Sequence, residues 1–134
     1  MSKVFADSFF YLALLSIKDE KHRRAQKYST DSTLRMVTTP WVLVEVADAF
    51  SAVESRAVCD FFIRRLQANR HLEIVHCTDL LFQSGLNLYR DRPDKEWSLT
   101  DCISFVVMKQ KRLTHALTGD ITSNRLDSWR FSSE

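Results

Sequence analysis

Val4-Phe5-Ala6-Asp7-Ser8-Phe9-Phe10-Tyr11-Leu12-Ala13-Leu14-Leu15 holds two kinds of apolar run on either side of an acid. Val4-Phe5-Ala6 is short and stops at Asp7, as a strand does. Phe9 to Leu15 is too long and continuous for a typical strand and reads as a buried helix. A strand passing directly into a helix is the repeating unit of an α/β protein.

The alternation continues along the chain. Asp19 to Lys27 reads as a solvated helix ending in the polar stretch Ser29 to Thr33, and Met36-Val37-Thr38 as a brief strand. Thr39 is placed to cap a helix and Pro40 to occupy its first position, with the helix running from Trp41 to about Ala52. Val58, Phe61, Phe62 and Leu66 follow helical spacing from a start near Glu54. Leu72 to Cys77 reads as a strand, and Leu81, Phe82, Gly85, Leu86 and Tyr89 mark a helix closed by the loop Asp91 to Lys95. Ile103, Val106 and Val107 share a face of the next helix. Ala116-Leu117-Thr118 is a strand, Gly119-Asp120 a turn, and Trp129-Arg130-Phe131 a final strand. The expected architecture is a three-layer α/β/α sandwich with a mostly parallel central sheet, one domain over residues 1–134.

Composition narrows the class. Apolar residues make up 45% and charged residues 27% of 134 residues, with two Gly and two Pro, the balance of a soluble globular domain. No run approaches a membrane span, and the N-terminus lacks the apolar core of a signal peptide, so a cytoplasmic location is expected. A net charge of +2 neither demands nor forbids a nucleic-acid partner. Three cysteines (Cys59, Cys77, Cys102) without a C-x-x-C argue against a disulfide framework and a zinc site, and the four histidines form no H-x-x-x-H pair. Two glycines cannot build a Walker A loop or a G-x-G-x-x-G turn. There is no D-x-D after the first strand and no G-x-S-x-G elbow.

Carboxylates remain. Asp7 and Asp120 each follow a strand, and in an open parallel sheet ligands bind beyond the carboxyl ends of strands. If those strands are neighbours, both acids face one crevice; as the alternative, each is a cap or turn residue. Asp101 in Ser98-Leu99-Thr100-Asp101 fits a capping box, which still places it at a helix mouth. Glu45 interrupts an apolar helix, where an unpaired charge costs several kcal/mol. The alternative sets Glu45 and Asp48 on a solvated stripe. Carboxylates without histidine or cysteine beside them suit a hard cation such as Mg²⁺ or Mn²⁺.

These segments, in this order, resemble PIN-domain ribonucleases, and most closely VapC-type toxins of prokaryotic toxin–antitoxin pairs. The likeness lies in Val4 to Leu15, in Thr38 to Ala47, in Trp97 to Met108 (similar to the family's S-x-T-D-x-x-S/A signature) and in Ala116 to Asp120. It implies a metal-dependent endoribonuclease whose acidic tetrad is Asp7, Glu45, Asp101 and Asp120, binding Mg²⁺ or Mn²⁺ to cut RNA. Ser8 and Thr100 match polar positions beside the tetrad, and Thr118 also lies by the site. An RNA substrate such as tRNA or another structured RNA, an antitoxin partner and a homodimer are further implications. After the last acid, Asn124 stands where some members carry an additional acid. RNA contact is expected from cations around the crevice, with Arg90, Arg92 and Lys95 the leading cluster; those at Arg64, Arg65 and Arg70 and at Lys109, Lys111 and Arg112 are also available. Two other readings compete. One is a non-catalytic PIN-like module that binds RNA or protein. The other, a phosphoacceptor domain, is discounted because no Lys follows Thr118.

Overall fold

The computed structural model describes residues 2–118; the Gly119-Asp120 turn, Asn124 and the Trp129–Phe131 segment lie outside the described residues. The elements are β1 (Ser2–Ala6), α1 (Ser8–Leu15), α2 (His22–Ser29), β2 (Leu34–Thr38), α3 (Pro40–Ala49), α4 (Arg56–Ala68), β3 (Leu72–Ile74), α5 (Asp79–Asp91), α6 (Leu99–Gln110) and β4 (Ala116–Leu117). The strands form one sheet in the order β3-β2-β1-β4, every described pair parallel.

This order has a consequence for the helices. From β1 through β2 to β3 the chain steps outward in one direction, and from β3 it returns across the sheet to β4 on the far side of β1. Parallel crossovers are right-handed almost without exception. Helices α1 to α4 therefore cover one face and α5 and α6 the other, as the expected three layers require. The reversal falls between β1 and β4, where such sheets open a crevice.

Local chemistry sets the element ends. Thr39 caps α3 by accepting from the Val42 N–H at 3.2 Å, and Pro40 sits at its first position. Thr78 caps α5 through the Leu81 N–H at 3.1 Å. Thr38 is fully buried and donates to the Ala6 carbonyl at 2.8 Å, tying the ends of β1 and β2 together. The core runs through Phe5, Phe10, Tyr11, Val37, Val42, Val46, Ile103, Met108 and Leu117, all at most 1% exposed.

Three expectations change. Helix α3 ends at Ala49 rather than near Ala52, because Phe50 leaves helical backbone with φ −115° and ψ 38°. Strand β3 ends at Ile74, short of Cys77. On α4 the buried face is turned: Val58 and Phe61 are exposed, whereas Cys59 is buried and Phe62, Ile63 and Leu66 pack on the core. None of the described helices is long and apolar enough to cross a membrane.

Candidate functional site

Strands β1 and β4 are neighbours, with Phe5 opposite Ala116 and Ala6 opposite Leu117. Asp7 follows β1 at this junction. The Asp7 N–H donates to the Leu117 carbonyl at 3.0 Å, fixing the residue at the edge of this reversal. Its side chain is 2% exposed and caps α1 in an uncommon way. A cap ordinarily accepts from the second or third helical N–H. Here Asp7 Oδ1 accepts from the first, Ser8, at 2.6 Å.

The Ser8 hydroxyl reaches two carboxylates. It lies 2.9 Å from Glu45 Oε1 and 3.3 Å from Asp7 Oδ1. One O–H carries one hydrogen, so a single donor serves two acids from different helices. Two carboxylates brought onto one hydroxyl repel, and a nearby cation relieves that repulsion. Glu45 is half-buried on α3, between exposed Val44 and buried Val46.

The opposite wall is the start of α6. Ser98 and Asp101 form the capping box: Asp101 N–H donates to Ser98 Oγ at 3.0 Å, and Ser98 N–H to Asp101 Oδ2 at 3.1 Å. Both readings of Asp101 meet here, because the same carboxyl group lines a groove of about 580 Å³ with Ser8 and Glu45. Asp48 and Glu96 line this groove as well. Asp48 was legible as the i+3 partner of Glu45, yet its stripe faces the groove; Glu96 carried no signal in the sequence. Thr100 is half-buried, its carbonyl accepting from Ser104 at 2.9 Å, and Thr118 is buried directly after β4. Asp120 lies outside the described residues.

The donors on this groove are carboxylate and hydroxyl oxygens, which suit Mg²⁺ or Mn²⁺. Among the described residues, no group of three His, Cys, Asp or Glu side chains is arranged to hold a metal ion. Cys102, next to Asp101, supplies no thiolate: burial pushes its thiol up to about 11, and the Asp101 charge adds to the shift.

The cations divide by position. Arg90, Arg92 and Lys95 line a second groove of about 880 Å³, which shares Glu96 and Ser98 with the acidic one. Arg64 is paired with Asp60 on the exposed side of α4, and Lys111 with Glu73 at 2.6 Å.

A parallel sheet in this order has the α/β architecture of the VapC-type PIN domain. A solved example is VapC20 of Mycobacterium tuberculosis, described as a sarcin-ricin loop cleaving toxin: the TM-score is 0.74 at 20% identity, over 86% of this chain and 88% of that one. The likeness is one of fold. No family model and no curated protein matches the chain in sequence.

Proposed function

We propose that this chain is a metal-dependent endoribonuclease and the toxin of a toxin–antitoxin pair. The observation that carries the reading is the Ser8 hydroxyl shared by Asp7 and Glu45, at the sheet reversal and across a groove from Asp101. Asp7, Glu45, Asp101 and Asp120 would hold Mg²⁺ or Mn²⁺, directly or through water. The bound ion supplies an acidified water and charge neutralisation at phosphorus. Ser8 orients the Asp7 and Glu45 carboxylates, and the capping box holds Asp101 at the helix mouth. Thr100 and Thr118 shape the polar surroundings. Water attacks the phosphodiester, the ribose 3′ oxygen leaves with a proton, and the products carry a 5′-phosphate and a 3′-hydroxyl.

The fold shared with VapC20 supports RNA as substrate and makes a sarcin-ricin-loop hairpin the first RNA to try, beside a tRNA pool. A cognate antitoxin and a homodimer belong to the same reading, as does a cytoplasmic place of action. The test is incubation of purified protein with these RNAs in Mg²⁺, Mn²⁺ or EDTA, followed by sequencing of the product ends. Discrete cuts that vanish in EDTA and leave 5′-phosphates support the reading. Folded protein without antitoxin that cuts no RNA in either metal would instead leave a PIN-like binding module.

A further inference from the structure

Trp97 lines the second groove, and its chain neighbours Glu96 and Ser98 line both grooves. It meets Phe105 edge-on, with centroids 4.9 Å apart and planes at 70°. Two cations sit on it, the Arg92 guanidinium carbon at 5.7 Å and the Lys95 ammonium at 5.8 Å from the ring centroid. Such contacts restrain long side chains that would otherwise move freely.

The two cations differ in their partners. Arg92 makes a two-point bond to Asp94, Nε to Oδ1 at 2.9 Å and Nη2 to Oδ2 at 2.7 Å. The guanidinium holds the Asp94 carboxyl down to about 2, so the pair stays ionised throughout the neutral range. Its fork is occupied and its charge offset. Lys95 makes no such hydrogen-bonded pair; its ammonium rests on Trp97 and feels the Asp94 charge only through space. A compact ammonium held on a fixed ring suits a phosphate.

Resting on the ribonuclease reading, we infer that Trp97 is a positioning residue that holds Lys95 as a backbone-phosphate contact for RNA running into the acidic groove, and that Asp94 keeps Arg92 from the same role. The continuity of the two grooves at Glu96 and Ser98 sets the path. A polyanion entering a groove lined by four acids (Glu45, Asp48, Glu96, Asp101) needs a cation at its edge.

The test measures affinity for a fluorescent sarcin-ricin-loop hairpin against salt concentration, with every variant made in the Asp7→Asn chain so that RNA is not cut. Lys95→Ala should weaken binding about 3- to 10-fold near 0.1 M salt and reduce the salt slope by about one. Trp97→Leu should do the same, with no further loss when combined with Lys95→Ala, whereas Trp97→Phe keeps the ring and restores binding. Asp94→Asn, on the exposed side of its pair, should tighten binding and steepen the slope by about one. That gain is one a folding defect cannot imitate. In the cleaving protein, Lys95→Ala should raise KM and leave kcat nearly unchanged. Unchanged affinity in both Lys95→Ala and Asp94→Asn would overturn the inference even where native protein cuts RNA. Absence of both binding and cutting would overturn the ribonuclease reading with it.

Discussion

Ser8 is the residue through which Asp7 and Glu45 are coupled, and its removal isolates that coupling. Ser8→Ala takes away the hydroxyl at 2.9 Å from Glu45 while leaving the backbone N–H bond to Asp7. Loss of a ligand-orienting partner typically costs 10- to 100-fold, so cleavage should fall by about that factor. Circular dichroism should show the fold unchanged. Tyr11 behaves differently. Its hydroxyl is buried without a hydrogen-bond partner of good geometry, although the Thr38 hydroxyl lies near it. Burial raises its phenol well above the ordinary value of 10.0. The unfolded chain therefore releases this proton first as pH rises past 10, and stability falls there. Tyr11→Phe should melt no lower than the native protein at pH 7 and lose less stability between pH 10 and 11. Glu45 was legible from sequence because a charge broke an apolar helix. Glu96 was not, since nothing local distinguishes a groove-facing acid from a solvated one.

At the scale of elements, α5 and α6 approach closely where Gly85 meets Ile103. A methyl group added at Gly85 would lie 3.1 Å from the Ile103 Cα and 3.2 Å from its backbone nitrogen, and closer still to its side chain. Ala is the better helix former by about 1 kcal/mol, but here the overlap wins. Gly85→Ala should destabilise the chain by about 1–3 kcal/mol, measured by urea unfolding. Because α6 carries Asp101, activity should fall with it. Helix starts at Thr39 and Ser98 were legible because cap chemistry is local. The buried face of α4 was not. Val58, Phe61, Phe62 and Leu66 and the alternative set Cys59, Phe62, Ile63 and Leu66 both fit helical spacing, and only tertiary packing, which buries Cys59 and sets Ile63 on the core, decides between them.

For the whole molecule, the strand order could not be read from the sequence, and the site depends on it. Alternating elements predicted a parallel sheet; the reversal that sets β4 beside β1 is a long-range choice made by the core. It places Asp7 where the chain parts to opposite faces. The crowded acids should then link folding to metal. Mn²⁺ at about 100 times its dissociation constant should stabilise the fold by about 2.7 kcal/mol, read as a rise in Tm that EDTA reverses. Asp7→Asn should raise the metal-free Tm, by removing repulsion, and abolish the metal-dependent rise. The measurement closest to the central claim is the single-turnover cleavage rate of native protein and Asp7→Asn on the same RNA in saturating Mg²⁺ or Mn²⁺. The variant should lose at least about 100-fold, with the fold intact. A variant that cuts as fast as the native protein would contradict the claim.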